Sequence, residues 1–424
     1  MIQNNNIPQG YKKTEIGIIP QEWEVKRLVD LCQNTGDYGI NAPAVPYRED
    51  LPTYLRITDI DGWGKFIETD KVSVDNPNSS QFILREGDIV FARTGATVGK
   101  TYLYNSKDGQ LIFAGFLIRF TPNSNKAIPY YIKASTETAS YWNWVRIISQ
   151  RSGQPGINSV EYGAMKLAVP PLAEQRKIAK ILGVWDEAIE KQSRLIEKLE
   201  LRKRALMQRL LTGCTRLPGF TTPWQKVKLG EIEKISSAGV DKKVNKGEVP
   251  VRLLNFVDVF YRYFIYNDEL THWVAAKPIK VEQCSVQKGD IFFTPSSEMP
   301  TDIAISAVAM EDMKGVVYSY HIVRLRPHIE MDLHYRAYAF KTDEFYKQAE
   351  RICDGSGQRY VISQDGFRNM SIHLPYLPEQ KAIAEVLTTA DKEIATHRKK
   401  LDALRLQKRG LMQQLLTGKT RVKI

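Results

Sequence analysis

The chain has 424 residues, which is too many for one ordinary hydrophobic core and predicts two or three domains. Hydrophobic residues make up 43% of it and charged residues 25%, so the composition excludes a disordered or collagen-like chain. Its 60 basic and 48 acidic residues give a formal charge of +12, which favours a polyanionic partner.

The N-terminal segment, residues 1–22, is predicted to be an arm that precedes the first domain. It has no apolar stretch of the kind that a signal peptide or a membrane span requires. The four cysteines lie far apart in sequence, which is typical of buried or free thiols in a reducing compartment. We therefore expect a cytoplasmic protein that does not engage a membrane.

Two segments, residues 23–170 and 223–375, are predicted to be β-rich α/β domains. Short apolar runs punctuated by Gly, Pro, Asn and Asp predict strands near residues 88–91 and 111–120 and near 290–293 and 316–324. Each domain is also predicted to contain a helix, over 130–148 and 335–352 respectively.

Residues 95–101 (GATVGKT) follow an apolar strand and superficially match a phosphate-binding loop. Such a loop needs four residues between its glycines so that successive N–H groups wrap the phosphates, and here there are three. We interpret the segment as a tight turn between strands. The aligned residues 294–297 (TPSS) contain no such loop, so it belongs to the variable part of each half, where recognition residues usually lie.

Two long helices are predicted, over 171–213 and 376–418, each closed by a glycine (Gly213, Gly418). Residues 214–222 form a linker after the first helix and 419–424 form a tail. Apolar residues recur at alternating steps of 4 and 3, which predicts a heptad seam and an antiparallel pairing of the two helices. The seam positions are Ile178, Leu182, Trp185, Ile189, Ile196, Leu199 and Leu206 in the first helix, and Ile383, Leu387, Ile394, Leu401, Leu404 and Leu411 in the second.

The two helices are copies of one sequence. Residues 174–216 align with 379–421 at a constant offset of 205, and 20 of 43 positions are identical. The helix segments carry net charges of +5 (171–217) and +6 (376–424), so most of the excess positive charge lies there. The fold class is therefore α+β (α/β): two β-rich domains, separated by two long helices that pair as an antiparallel coiled coil, in an internal pseudo-twofold repeat.

Polar residues interrupt the seam at the same places in both copies. Gln192 matches His397, and Lys203 matches Lys408. Long side chains could extend from a loose seam to water, or they could fix the register of the helices at some loss of stability. The basic runs at 202–204, 398–400 and 408–409 leave a further choice between a solvated or partner-facing surface and contact with a DNA backbone.

Catalytic motifs are missing. All six histidines lie at or beyond His272, so no histidine site is common to both halves. The sequence has no His-Glu-x-x-His, no paired Cys-x-x-Cys, no Gly-x-Ser-x-Gly and no Gly-x-Gly-x-x-Gly motif. We expect no catalytic residue, no metal site and no cofactor in this chain.

Several motifs together resemble the specificity (S) subunit of type I restriction–modification systems. They are the start YKKTEIG with Ile19, Pro20 and Trp23, the loop RTGATVGK at 93–100, the proline–Glu-Gln entry of each long helix, and the Leu-Leu-Thr-Gly end of each. The resemblance covers the chain from about residue 10. The sequence lacks the Asp/Asn-Pro-Pro-Tyr/Phe motif of an adenine methyltransferase. It departs from the family in its second half, where the Arg-Thr-Gly loop is replaced.

The resemblance implies a subunit that recognises double-stranded DNA and has no catalytic centre. Each target-recognition domain would read one half of a split, asymmetric sequence, and the helices would set the gap between the halves. Its partners would be two modification subunits, which methylate adenine N6 with S-adenosylmethionine, and two restriction/translocase subunits, which use ATP and magnesium.

The candidate DNA-contacting residues are polar or basic side chains of the variable loops. Arginine suits guanine, and Gln or Asn suits adenine, by bidentate hydrogen bonding. For each of them a structural role in the loop is an open alternative. The candidates are Arg93, Thr94, Lys100, Ser152, Gln154 and Asn158 in the first half, and Ser296, Ser297, Gln358 and Arg359 in the second.

Four arginines on paired strand anchors (Arg56, Arg252, Arg119, Arg324) could bind phosphate or form structural ion pairs. Two other functions also remain open at this point. A structural coiled-coil adaptor would bind no DNA, and a self-contained DNA-modifying enzyme would transfer methyl groups without a partner.

Overall fold

The computed structural model describes residues 7–232, 235–237, 239–241, 248–357 and 359–423. It divides into two compact units, residues 1–192 with 400–424, and residues 193–399. Each long helix crosses a unit boundary, so each unit contains the beginning of one long helix and the end of the other.

The first unit is built from short strands and helices that precede a long helix. The strands are β1 (Tyr11–Thr14), β2 (Gly17–Pro20), β3 (Glu24–Arg27), β4 (Asp37–Tyr38), β5 (Val45–Pro46), β6 (Thr53–Leu55), β7 (Val72–Ser73), β8 (Ile89–Ala92), β9 (Thr101–Leu103), β10 (Leu111–Phe113), β11 (Leu117–Phe120) and β12 (Lys166–Val169). The helices are α1 (Leu28–Leu31), α2 (Pro129–Ser135), α3 (Ala139–Ile148), α4 (Ser159–Gly163) and the long α5 (Leu172–Leu211).

The second unit follows a similar order, with additional helices and strands. Its strands are β13 (Gln225–Lys228), β14 (Val249–Leu254), β15 (Phe264–Ile265), β16 (Trp273–Ala276), β17 (Ser285–Val286), β18 (Ile291–Phe293), β19 (Ser296–Ser297), β20 (Ser306–Ala309), β21 (Met313–Tyr318), β22 (Val323–Leu325), β23 (Asp354–Ser356), β24 (Arg359–Val361) and β25 (Ser371–Leu374). Its helices are α6 (Leu229–Ile232), α7 (Phe256–Phe260), α8 (Pro278–Gln283), α9 (Leu333–Ala339), α10 (Asp343–Ile352), α11 (Gln364–Asn369) and the long α12 (Leu377–Leu415), which continues into the first unit.

Each unit contains two four-stranded sheets, of which β4-β11-β8-β9 is antiparallel and the other three are mixed. They run β10-β6-β7-β5 and β4-β11-β8-β9 in the first unit, and β16-β14-β21-β17 and β15-β20-β18-β22 in the second. In each unit the strand that opens the domain also pairs antiparallel with the strand that closes it, β3 with β12 and β13 with β25. This pairing brings the start of each domain next to the start of its long helix. The predicted mixture of sheets and long helices is confirmed.

Four predicted elements are broken in the structure. The helix expected over 130–148 is two helices, α2 and α3, because the side chain of Thr138 accepts a hydrogen bond from the Tyr141 N–H and starts a new helix. The helix expected over 335–352 is likewise α9 and α10, because Thr342 accepts from the Phe345 N–H. The strand expected over 111–120 is two strands, β10 and β11, separated by residues 114–116, and the strand expected over 316–324 is β21 and β22, separated by residues 319–322.

The long helices follow the predicted seam. Every predicted seam position is buried or half-buried. In the first unit Ile178 and Leu182 share a core with Met412 and Leu415, whereas in the second Met207 and Leu210 share one with Ile383 and Leu387. The beginning of each helix thus lies beside the end of the other, which is an antiparallel pairing. Gly213 and Gly418 have φ of +72° and +71°, the left-handed conformation predicted for residues that end a helix.

Candidate nucleic-acid interface

The candidate segments of the first unit, far apart in sequence, meet at the end of β8. Thr94 forms an antiparallel bridge with Gly156, and the Ile157 N–H donates to the Arg93 carbonyl oxygen at 2.9 Å. The Gly95 N–H donates to the Pro155 carbonyl oxygen at 3.0 Å. Arg93 and Thr94 therefore lie beside the loop that carries Ser152 and Gln154.

The second unit makes the same connection. Ser296 and Ser297 form β19, which pairs with Val361 and Tyr360 of β24. The Ile362 N–H donates to the Pro295 carbonyl oxygen at 2.9 Å, matching the bond between Ile157 and Arg93. Ser296, Ser297 and Arg359 are thus brought together on one small sheet. Gln358 lies outside the described residues.

The glycine loop of the first unit is the tight turn that its spacing predicts. Residues 95–97 form one 3-10 turn between β8 and β9. Gly95 has φ of +70°, and a Cβ atom there would lie 2.7 Å from the Gln154 amide nitrogen. The Lys100 ammonium donates to the carbonyl oxygen of Ile60 at 2.9 Å, so it has a partner within the domain. Gly95 therefore lets the Gln154 amide lie close to the loop backbone, and the Lys100 side chain is bound to the backbone at residue 60.

Arg93 differs from the other arginines of the first domain in its surroundings. Its guanidinium lies 4.8 Å from the centre of the Tyr38 ring. The Tyr38 hydroxyl is itself held by the Ser159 N–H at 3.1 Å. Within the described part of the chain the Arg93 side chain makes no ion pair, and its buried Nε has no hydrogen-bond partner. Arg93 is thus a positioned cation without an internal carboxylate.

The charge of Arg93 affects the pKa of the Tyr38 phenol. Partial burial acts to raise the pKa of the Tyr38 phenol, but the hydrogen bonds from Ser159 and the nearby charge of Arg93 outweigh it and lower the pKa. Tyr38 is 40% exposed, so the stacked Tyr38–Arg93 pair is accessible to a ligand. The sequence did not single out Tyr38, because an isolated tyrosine carries no motif.

The other candidate residues differ in whether their side chains already have partners within the domain. Ser152, Gln154 and Arg359 are exposed. The Asn158 side chain caps α4 by accepting from the Glu161 N–H at 2.9 Å. Ser363 caps α11 in the same way in the second unit, so the side-chain oxygen of Asn158 has a role in the frame that both halves share.

The four strand-anchor arginines have internal partners. Arg56 pairs with Asp59 at 2.7 Å and Arg119 with Asp37 at 2.9 Å. Arg252 donates to the Asn267 carbonyl oxygen at 2.6 Å, and Arg324 to that of Ser285 at 2.9 Å. These contacts favour the structural interpretation over phosphate binding. In the part of the chain that the structure describes, no group of three or more His, Cys, Asp or Glu side chains could hold a metal ion.

The sequence also matches a family of known proteins. Residues 20–201 and 222–406 both match the model of the type I restriction modification DNA specificity domain. The chain belongs to this family. It is 27% identical to the putative type I restriction enzyme MjaX specificity subunit of Methanocaldococcus jannaschii, over 98% of this chain and 97% of that protein. It is 26% identical to the MjaVIII specificity subunit of the same organism, over 96% and 94%.

The fold is shared with a solved chain as well. A chain from a structural study of the assembly and conformational transition of the type I R-M system superposes with a TM-score of 0.59 at 18% identity. The superposition covers 95% of this chain and 99% of that one. Among the helices described, none is long and apolar enough to cross a membrane.

The Glu-Gln motif of this specificity-domain chain has a structural explanation in both units. Glu174 is fully buried, and its carboxylate accepts from the Trp23 indole at 3.0 Å and from Arg421 at 2.8 Å. Glu379 accepts from Trp224 at 2.9 Å and from Arg216 at 2.6 Å. The motif therefore ties the beginning of each domain to the end of a long helix.

The neighbouring glutamines bind the domain backbone. Gln175 accepts from the Ile128 N–H at 2.9 Å and donates to the Pro170 carbonyl oxygen at 2.9 Å. Gln380 accepts from the Asp332 N–H at 2.9 Å and donates to the Pro375 carbonyl oxygen at 2.8 Å. Because burying an amide without partners is unfavourable, these paired contacts account for the repeated Glu-Gln sequence.

The two seam lysines do not extend to water, so the first of the two interpretations of the polar seam positions is wrong for them. Lys203 is 8% exposed and donates to Asp391 at 2.6 Å, and the Lys408 ammonium lies 2.8 Å from Asp186. The neighbouring Arg202 and Arg204 are exposed. The choice between a partner and a DNA backbone therefore concerns the exposed arginines and not the two seam lysines.

Proposed function

We propose that this chain is the DNA-recognition subunit of a type I restriction–modification complex. Each domain, residues 23–170 and 223–375, reads one half of a bipartite, asymmetric DNA site. The chain performs no chemistry of its own. This proposal is preferred to a coiled-coil adaptor because an adaptor has no need of two domains with different exposed loops.

The single observation that carries the proposal is that equivalent backbone positions bear different side chains. The matched hydrogen bonds to Arg93 and Pro295 place these two residues at the same point of the frame. The matched bridges place Thr94 with Gly156 in one unit and Ser296 with Val361 in the other. A constant frame with variable side chains is the arrangement expected of two domains that read different sequences.

The chemistry of the first surface suits a DNA groove. The Arg93 guanidinium is available for two parallel hydrogen bonds to a guanine or a phosphate, and the Gln154 amide suits adenine. Stacking on Tyr38 limits the orientations of Arg93 and lowers the entropy lost on binding. The second surface offers the hydroxyl groups of Ser296 and Ser297 and the guanidinium of Arg359.

The two long helices have a different task in this proposal. Their length sets the gap between the half-sites, and their exposed faces dock two adenine-N6 methyltransferase subunits and two restriction/translocase subunits. S-adenosylmethionine, ATP and magnesium would bind to those partners in the cytoplasm. The excess positive charge of the helix segments is available for acidic partner surfaces or for the DNA backbone between the half-sites.

The proposal is tested by co-expressing the chain with its cognate modification subunit and mapping N6-methyladenine across the host genome. We expect one split, non-palindromic motif with a fixed gap. Cells that express the modification subunit without this chain are the control and should lack the motif. A stable complex that methylates no defined motif would contradict the proposal.

A further inference from the structure

Each unit holds one group of charged and tyrosine side chains at the helix seam, which also contains Gln192 in the first helix and His397 in the second. We call these groups the seam clusters. The second-unit cluster consists of Lys203, Asp391, Tyr338 and Tyr263, and the first-unit cluster of Lys408, Asp186, Tyr130 and Glu137. Both contain one lysine and one aspartate from opposite long helices, and the other members come from the recognition domain.

In the second unit the cluster joins three elements. Lys203 of α5 donates to Asp391 of α12 at 2.6 Å. The Tyr338 hydroxyl, from α9 of the domain, donates to the other oxygen of the same carboxylate at 2.6 Å. The Lys203 ammonium also lies 4.1 Å from the centre of the Tyr263 ring. Burial and the hydrogen bond to Asp391 raise the pKa of Tyr338, so this tyrosine is a hydrogen-bond donor.

The first unit repeats this arrangement with different domain residues. Lys408 of α12 donates to Asp186 of α5 at 2.8 Å. The Tyr130 hydroxyl, from α2, donates to the same aspartate, and the Glu137 carboxylate lies 3.7 Å from the Lys408 ammonium. Lysine and aspartate stand at the positions that the offset of 205 predicts, but the tyrosines do not. The two units therefore make the same polar connection with domain residues at different positions.

The energetics of such clusters favour a role in specificity over a role in stability. A buried ion pair adds little net stability compared with apolar residues, but breaking it is strongly destabilising because a buried charge is left unpaired. An aliphatic heptad seam, in contrast, accepts a shift of seven residues with its apolar contacts largely preserved. A shift of the helices by one heptad would separate both lysines from their aspartates. It would also disturb the pairs of Glu174 with Arg421 and of Glu379 with Arg216, but both arginines lie beyond the helix ends and are partly exposed, so these pairs constrain the register less.

We propose that the two seam clusters fix the register of the long helices and the seat of each recognition domain on them, and so set a single half-site gap. The consequence for DNA rests on the function proposed above, whereas the consequence for helix register does not. One heptad corresponds to about 10 Å along a helix, or about three base pairs of DNA. Loss of the clusters should therefore change the gap in steps of that size.

The test compares two variants of the full chain. In the apolar variant Lys203→Met, Asp391→Leu, Lys408→Met and Asp186→Leu remove both clusters. In the swapped variant Lys203→Glu, Asp391→Lys, Lys408→Glu and Asp186→Lys keep an ion pair in each seam with the charges exchanged, and Glu137→Gln avoids a second carboxylate beside position 408. Spin labels at Glu197 and Lys381, exposed residues of the two helices in the second unit that lie well apart along the helix axis, report the register by their separation. Cys214 and Cys353 are replaced by Ser in all of them.

The wild-type and swapped chains should each give one label separation. The apolar variant should give a second separation that differs by about 10 Å, and its methylated motif should show a second gap that differs by about three base pairs. One unchanged separation and one unchanged gap in a folded apolar variant would overturn the proposal. If the apolar variant does not fold, a variant with Lys203→Gln, Asp391→Asn, Lys408→Gln and Asp186→Asn removes all four charges and leaves none of them unpaired, and the same split is expected.

The two readouts separate this proposal from the proposed function. Two label separations in the apolar variant, together with no methylated motif in the wild type, would support the role in register and contradict the role in DNA recognition. One label separation in every chain, together with a well-defined wild-type motif, would contradict the role in register and support the role in DNA recognition. A purely stabilising role would change the unfolding temperature of the variants without changing either the label separation or the gap.

Discussion

Replacing Lys341 with methionine should stabilise the second unit near neutral pH and reduce the dependence of its stability on pH. Lys341 is 6% exposed, and its ammonium donates to the Ser306 carbonyl oxygen beside the Tyr263 ring. Lys203 faces the same ring, and Asp391, the carboxylate of this cluster, is already bound to Lys203 and Tyr338. Two amines thus share surroundings that hold one carboxylate.

The magnitude follows from the ionisation of this amine. Burial, with a smaller contribution from the charge of Lys203, lowers the pKa of Lys341 from 10.5 to about 7. Between these values the unfolded chain holds a proton that the folded chain lacks, so stability rises with pH from about 7 to 10.5. The full difference in pKa corresponds to a destabilisation of ~5 kcal/mol. This destabilisation is present in full below the pKa of the folded state. Methionine has similar length and carries no charge.

The first unit supplies an internal comparison. Glu137 precedes the cap of α3 as Lys341 precedes the cap of α10, and it pairs with Lys133 and lies 3.7 Å from Lys408. At this position the second unit therefore has a second amine, Lys341, whereas the first unit has a carboxylate, Glu137. We expect this pH dependence in the second unit and not in the first.

The assay is urea denaturation at pH 7 and pH 10, read by hydrogen exchange in peptides of the second unit. Lys341→Met should raise the free energy of unfolding by a few kcal/mol at pH 7 and by much less at pH 10. Lys347→Met, at an exposed position of α10, is the matched control and should change neither value. An equal effect of Lys341→Met on the free energy of unfolding at both pH values would show that packing, and not the ionisation of Lys341, causes the change.

Three further changes test separate parts of the structure. Gly39→Ala places a Cβ atom 2.2 Å from a backbone carbonyl oxygen and should prevent folding of the first domain, whereas Gly62→Ala, with no atom within 4 Å, should leave the melting temperature unchanged. Arg216→Ala removes the cation from the buried Glu379 and should lower the melting temperature of the second unit; an unchanged melting temperature would contradict the role given to this ion pair. Arg93→Gln should relax the methylated motif in one half-site only, with roughly 1–3 kcal/mol of discrimination lost at the affected base, and equal relaxation of both halves would argue against it.

The sequence predicts the helices better than the domains because the helices carry a periodic signal. The seam from Ile178 to Leu206 and its repeat give the two helices, their ends and their antiparallel sense. The sheets depend on contacts between residues far apart in sequence. Ser296 and Ser297, for example, form a strand only because they pair with residues 360 and 361. No local pattern reveals such a pairing.

The candidate site is predictable in the same partial way. The sequence selects Arg93 and Gln154 from their loops, but their proximity follows from the bridge between Thr94 and Gly156. Tyr38 carries no motif, so its stacking on Arg93 is visible only in the structure. The aspartates of the seam clusters could have been found, since Asp186 and Asp391 are identical at the offset of 205. They were missed because they lie beside the heptad seam and not in it.

The proposed function requires each domain to read its own half of the DNA site. A chain in which residues 23–170 also replace residues 224–375 tests this requirement. The contacts of Trp23 with Glu174 and of Trp224 with Glu379 are the same in both units, so the second position can accept the first domain. When this chain is co-expressed with the modification subunit, methylation should move to an inverted repeat of the first half-site with the original gap. Methylation that stays on the original asymmetric motif would contradict this requirement.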